Sequence, residues 1–452
     1  MNKKAFCTNI AHFMNGSVRL PTSIIDLKGN AGQTDIESRM KARIRPMTLM
    51  KAYPFVRPLP VKDRWCVHSY YTISPYAPDH SGRLLLAGGD LDRNVGEVLV
   101  LSGDGEVLDR FGKTSLNSSF YHTGWWQTWS PDGRYVYYQG GSLNKPQIVR
   151  RELESGQEHV MEGDMEGAPP TGEPLLSGLL GMLYAAGYGG DGRFQPELAP
   201  VPFMERGRHG LFRYSFDTGE RTLALSTADI LERHPDWDRL RQSDKEIKEK
   251  CGDGLTLMSY CVRWSPDGSR LLFYFGNHCV DRRRGEPKLT YVFTADRELK
   301  DIRLALDLSY GTPGLHWSWH PDGERLVGYG PDPEDRSCMC LAEVRYDGTA
   351  YRKISSHRSG GHPSVSPTNG HLLVTDTYTN PGEVQFIDSR SGEVLRSLSL
   401  PRVLGDKEPP GRNPYRVCLH PVFSRDGRKL LVNTLSGRHA VVCEVDVEEA
   451  LR

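Results

Sequence analysis

The sequence predicts an all-β fold: a seven-bladed β-propeller of four-stranded antiparallel blades, with an N-terminal extension and a short helical insertion. A phrase of turn followed by strand recurs as WSPDGRYVYYQG from Trp129, RWSPDGSRLLFYFG from Arg263 and WHPDGERLVGYG from Trp319. The turns repeat at an interval that fits one four-stranded sheet. A second kind of turn, rich in Asp and Gly, closes an outer strand in RYSFDTGE, EVRYDGTAY and FIDSRSGEV. A sheet of this size cannot bury both faces alone, so such units stack radially.

Each turn carries the chemistry it needs. Pro sets φ at the first corner, Asp caps the turn, and Gly accepts positive φ. The strand that follows alternates with period two, as in RYVYY, RLLFYF and KLLVNT. The turn glycines are Gly82, Gly133, Gly268, Gly323, Gly370 and Gly427, at intervals of 51, 135, 55, 47 and 57 residues. The long interval holds SGLLGMLYAAGYGG and HGLFRYSFDTGERTLAL, read as one degenerate unit with an insertion. Six visible units and this one make seven. Residues 1–60 lack the motif and form the extension, packing on a propeller that spans 61–452. Residues 226–250, STADILERHPDWDRLRQSDKEIKEK, read as a solvated insertion helix of mixed charge.

The charge is balanced, 57 basic against 57 acidic side chains. That argues against nucleic-acid or anionic-membrane partners, which select a basic excess. With 47 glycines and 30 prolines the chain is turn-rich. Its first residues, MNKKAFCTNIAHFMNGSVRL, hold no sustained apolar run. The expectation is a chain without signal peptide or membrane span, working in the cytoplasm. The nine scattered cysteines then read as reduced thiols. The Walker, dinucleotide, nucleophile-elbow and H-E-x-x-H motifs are missing, which leaves several common enzyme classes without support.

In a propeller the inner strands line a central channel. Histidines gather just before or on them: His122, His278, His316, His320, His362 and His420. His320 stands inside the turn, where other units carry Ser, and reads as a turn residue. Cys418 and His420 form a C-x-H pair, which on one strand shares a face. His316 lies seven residues before Gly323, as His420 does before Gly427. Imidazole and thiolate are zinc-type ligands, so His316, Cys418 and His420 are the expected metal ligands. The alternative is a reduced core cysteine beside two channel histidines bonded to backbone or water.

The windows FYFGNHCVDRRRGEPKLTYVFTADREL, GLHWSWHPDG and YRVCLHPVFSRDG resemble the propeller-type uronate lyases. These are the oligogalacturonate and ulvan lyases, with the rhamnosyl-glucuronate hydrolases that share their ring. The likeness spans about residues 65–447. It implies an enzyme that cleaves uronic-acid-containing oligosaccharides by β-elimination. It also implies a divalent metal held by a His before the turn motif and an H-x-H strand with an upstream Gln. His316 and His420 match, while Cys418 replaces the first strand His and Tyr415 the Gln. The thiolate shifts the expected ion to zinc, over the harder manganese or calcium.

Resemblance to the ulvan-lyase branch makes His122 in FYHTGWW a catalytic histidine and Tyr188 in YAAGYGGDGRF the acid/base. It makes Arg206 or Arg208 in MERGRHG the carboxylate partner. Where that branch has a second histidine, QGGSLNKPQ offers Gln139, which joins Tyr260 and His278 as expected substrate-binding residues. This departure keeps open the hydrolase branch, in which His68 in WCVHSYYTISP does the work. The elimination chemistry asks for these residue types. The C5 proton of a uronate becomes acidic only once its carboxylate is neutralised by Arg, protonated His or a metal. A Tyr or His then takes the proton, and the same or a second group protonates the leaving O4. A third reading is a propeller that only binds partners; an inward cluster of His, Tyr and Arg separates enzyme from platform.

Overall fold

The computed structural model describes residues 52–62, 65–116, 120–142, 145–178, 204–277, 284–309, 315–404 and 415–452. Among them the chain is all-β apart from four short or medium helices. It runs as consecutive antiparallel meanders. Four sheets have four strands each, paired in chain order. One of these, for example, is Met258–Trp264, Arg270–Gly276, Thr290–Asp296 and Arg303–Asp307. The degenerate unit is a three-stranded sheet of Leu175–Gly178, Gly210–Ser215 and Glu220–Ser226.

The turns form as their residues dictate. Ser265 Oγ bonds Asp267 Oδ1 at 2.7 Å, and the Gly268 N–H donates to the Ser265 carbonyl at 2.9 Å. Gly268 takes φ +69, a conformation a side chain rarely adopts. Ser130 and Ser424 repeat the same pattern with Asp132 and Asp426. His320 does the serine's work in its own turn, accepting from the Asp322 N–H at 3.1 Å. Its Nε2 meets the Gly370 carbonyl of the next turn at 2.9 Å.

Neighbouring units are stitched together at these turns. Trp129 Nε1 donates to the Pro75 carbonyl, and Trp319 Nε1 donates in the same way to Arg263. Arg425 Nε reaches the Tyr76 carbonyl at 3.3 Å, so the last turn meets the first. Between sheets the packing is apolar: Tyr260, Leu272, Tyr274 and Val292 of one sheet meet Trp317, Leu326 and Ala342 of the next.

The remaining sheet has eight strands and joins both parts of the chain. Val422–Phe423, Lys429–Ser436 and His439–Asp446 come from the end; Trp65–Val67, Leu84–Asp90, Val95–Leu101 and Val107–Ser115 come from the start. A parallel bridge, Trp65 to Ala440, links the halves. Val56–Pro58 adds one more strand against His439–Asp446. So the described end of the extension is an edge strand; residues 1–51 lie outside the described residues.

The insertion is helical as expected, but as two helices, Thr227–Glu232 and Trp237–Cys251. Ser226 and Asp229 make a reciprocal capping box on the first. The second buries Leu240 and Ile247 against Leu255, Phe273 and their neighbours, with Trp237 and Cys251 packed beside them. No helix among the described residues is long and apolar enough to cross a membrane.

Candidate active site

The innermost strands share a local irregularity that builds the site. Trp126, Cys261, His316 and His420 each lie four residues before the first residue of a turn, Ser130, Ser265, His320 and Ser424. All four have positive φ, at 55°, 54°, 58° and 45°. For residues with a Cβ this conformation costs about 1–2 kcal/mol and persists only where the surroundings enforce it. The strand register slips at Cys261 and at His316, as a bulge demands. At His316 and His420 the left-handed backbone re-aims the side chain and sends both imidazoles to one place.

His362 stands at the matching position of its own sheet, without the left-handed backbone, and its turn glycine is one residue further on. Its turn is longer: the Ser366 N–H donates to Leu372, six residues ahead, where Ser265 donates to Arg270, five ahead. Counted from the serine, His362 too stands four residues before. His122 arrives from the helical turn Phe120–Thr123.

The result is a histidine cluster drawn from separate sheets. His122, His362 and His420 each offer a ligand atom, all within 4.8 Å of one another. The His316 ring lies 4.2 Å from His362, and His68 lies 6.4 Å from His420. Their hydrogen bonds orient them. His316 Nδ1 donates to the carbonyls of Gly360 and Gly361 at 2.9 and 2.8 Å, so its Nε2 keeps the lone pair. His362 Nδ1 donates to Asp376 at 2.9 Å, with the same consequence. Both ring nitrogens of His420 are buried, with no hydrogen-bond partner among the described residues. Burial holds His316 and His420 well below the usual imidazole range, and pushes His68 down to about 3.

These shifts set a pH dependence of stability. The unfolded chain takes up protons near the ordinary value of 6.5, while the folded histidines refuse them. Stability is therefore full above that value and falls as pH drops toward about 3. The denaturant midpoint is expected to fall from about pH 7 to about pH 5; a flat profile would mean that these rings are protonated in the fold.

Beside the histidines lies a buried cation. Arg263 Nε donates to Glu166 Oε1 at 2.6 Å, and its Nη1 donates to the Tyr71 hydroxyl at 3.0 Å and to the Trp317 carbonyl. Among the described residues no protein acceptor takes its Nη2. Burial opposes the charge, but Glu166 and Tyr71 outweigh it and hold Arg263 protonated. Its guanidinium lies 5.5 Å from the rings of both Tyr70 and Tyr71.

Four tyrosines surround this point. Tyr71 is bonded by Arg263, Tyr274 accepts from the Trp317 N–H, and Tyr378 meets His362 Nε2. Among the described residues, Tyr70 is the one of the four whose hydroxyl no protein group takes. Its ring stands 4.7 Å from His420 and 5.4 Å from His362. Burial raises its pKa, so it is a neutral phenol.

The sequence-based expectations divide here. His122, His316, His420 and His68 are brought together. Of the expected metal ligands only His420 is in the converging group; His316 and the buried Cys418 are not. The same-face argument for C-x-H does not apply: the strand starts only at Val422, and His420 is in the left-handed region. Arg206 is bonded to Asp244 and the Leu255 carbonyl beside the insertion. Arg208 is exposed and paired with Glu205. The Gln139 amide is taken by the carbonyls of Gln147 and Gly163, and its oxygen by the Met165 N–H, so it braces the sheet. Tyr260 packs on Tyr274 in a blade core. Tyr188 and His278 lie outside the described residues. Sequence reasoning set His362 among the channel histidines without giving it a role, and passed over Tyr70, Arg263 and Glu166.

The cluster fits a divalent metal. It has imidazole nitrogens with lone pairs turned inward, unpartnered buried nitrogens on His420, and a carboxylate behind His362. The reason for expecting zinc was the Cys418 thiolate. With that sulfur outside the group, an all-imidazole set does not single zinc out.

Gly361 shows how tightly the support is built. A Cβ there would fall 1.8 Å from the Asp376 carbonyl oxygen. Gly361→Ala is expected to destabilise the fold by about 2 kcal/mol or more; thermal unfolding within a degree of the parent would contradict this close approach.

No family model matches the chain, and no curated protein matches it. Among solved structures, an oligogalacturonate lyase from Vibrio parahaemolyticus aligns over 88% of this chain and 94% of its own, with a TM-score of 0.58 and 16% identity. The chain shares that fold. An oligogalacturonate lyase in complex with manganese aligns with the same coverage and identity and a TM-score of 0.57. At this identity the likeness is one of architecture, all-β and propeller-like.

Proposed function

We propose that the chain is a divalent-metal-binding lyase that cleaves short uronate oligosaccharides by β-elimination, on a seven-bladed propeller. The blade count follows if the eight-stranded sheet is taken as the first and last blades joined at the Trp65–Ala440 bridge. The observation that carries the function is the meeting of Arg263, Tyr70 and the histidine cluster, from separate sheets, at one buried point.

Each group has a part. The Nη2 of Arg263 neutralises the substrate carboxylate, which makes the C5 proton acidic. His122, His362 and His420 hold the metal, which when bound adds positive charge near that carboxylate. The neutral imidazole of His316, its Nε2 lone pair free of the Gly360 and Gly361 bonds, takes the C5 proton. The C4–O4 bond breaks as the C4–C5 double bond forms, and the Tyr70 hydroxyl protonates O4. The fold shared with oligogalacturonate lyases, one of them a manganese complex, supports a uronate substrate and a divalent ion.

The test is to incubate the protein with short galacturonate, glucuronate and rhamnosyl-glucuronate oligomers. Ultraviolet absorbance reports the unsaturated product, and reducing ends report any cleavage. Absorbance and reducing ends rising together are expected. Reducing ends alone would replace this reading with the hydrolase, with His68 beside His420 as the first residue to mutate. No cleavage of any uronate would leave a binding platform.

A further inference from the structure

One buried carboxylate holds two members of the histidine cluster. Asp376 ends the strand Leu372–Asp376 and is 1% exposed. Its Oδ1 accepts both the backbone N–H of His362, at 2.6 Å, and that residue's Nδ1–H, at 2.9 Å. Its Oδ2 accepts the backbone N–H of His420 at 3.3 Å. One side chain thus grips two ligand histidines that belong to different sheets. Its carbonyl also accepts from Ser359 Oγ at 2.9 Å, which pins the Gly360–Gly361 loop holding His316.

The charge is the second observation. Among the described residues the side chain of Asp376 pairs with no lysine or arginine, and its only ion-pair partner is His362. A buried carboxylate without a cation is strongly disfavoured. A divalent ion in front of the imidazoles would restore the balance, and a carboxylate behind a ligating imidazole raises its basicity.

We infer that Asp376 is the positioning residue of the cluster: it sets the tautomer of His362, anchors His420, and supplies the negative charge that a bound divalent cation offsets. This rests on the reading that the histidine cluster holds a metal, but not on any sugar chemistry.

The experiment titrates manganese and zinc into the metal-stripped full-length protein and into Asp376→Asn and Asp376→Glu, by calorimetry. Circular dichroism checks that each is folded. Asparagine keeps an oxygen for the Nδ1–H and removes the charge; it is expected to weaken metal binding by about 10–100-fold. Glutamate keeps the charge and is expected to recover part of that loss. A residue that only supports the fold would shift the melting temperature and leave affinity unchanged. Folded Asp376→Asn binding metal within about twofold of the parent, against the expected loss, would overturn the inference, as would a parent that binds neither metal. Should Asp376→Asn not fold, nitrogen NMR of the histidine-labelled parent decides. A proton on Nδ1 of His362 supports the role, and a proton on Nε2 overturns it. Weakened metal binding without uronate cleavage would uphold Asp376 and remove the lyase.

Discussion

Tyr70→Phe is expected to lower kcat on uronate oligomers by a factor on the order of 10²–10⁴, with little change in KM or in melting temperature. The asymmetry follows from the hydrogen bonds. Among the described residues the Tyr70 hydroxyl has no protein partner to give up, so the fold loses only an oxygen. The reaction loses its proton donor. Tyr71→Phe is the contrast: its hydroxyl holds Arg263 at 3.0 Å, so that variant should disturb stability and binding together. A Tyr70→Phe protein with unchanged kcat would remove this residue as the acid and return attention to Tyr188.

Arg263→Met should be the most damaging single change. It leaves Glu166 charged and buried, with its side chain wholly inaccessible. Removing one partner of such a pair costs about 3–5 kcal/mol, so a large fall in melting temperature is expected. Activity should be lost as well, because the substrate carboxylate loses its cation. The two effects separate in the double variant Arg263→Met with Glu166→Gln. Removing both charges should restore much of the stability, since the penalty belongs to the stranded ion. It should not restore uronate cleavage. Recovery of activity in the double variant would show that Arg263 serves the fold only. Arg208→Ala, at an exposed pair with Glu205, is the comparison and should change stability by no more than about 0.5 kcal/mol.

The parts of the fold written in local chemistry were legible. The x-Pro-Asp-Gly turns, the alternating strands after them and the helix over Trp237–Cys251 each depend on neighbours in sequence. The site depends on geometry that residue spacing does not show. Strand alternation pairs Cys418 with His420, but the left-handed backbone at His420 breaks that alternation. His362, named among the channel histidines, stayed out of the ligand set because the count ran to the turn glycine and its turn carries one extra residue; counting from Ser366 aligns it with His316 and His420. Arg263 stood in plain view inside RWSPDG and was read as part of the motif. Its partner Glu166 lies 97 residues earlier, and no local pattern announces that pairing. Tyr70 is distinguished only by what the other three tyrosines already hold.

The most direct test of elimination at this site is to run the cleavage in heavy-oxygen water and weigh both products by mass spectrometry. Elimination takes no oxygen from water: it is predicted to yield two unlabelled products at the bond cleaved, one of them lighter by a water and unsaturated. A heavy oxygen built into either product during cleavage, with no unsaturated fragment, would mean hydrolysis and would contradict the roles given to Arg263, His316 and Tyr70.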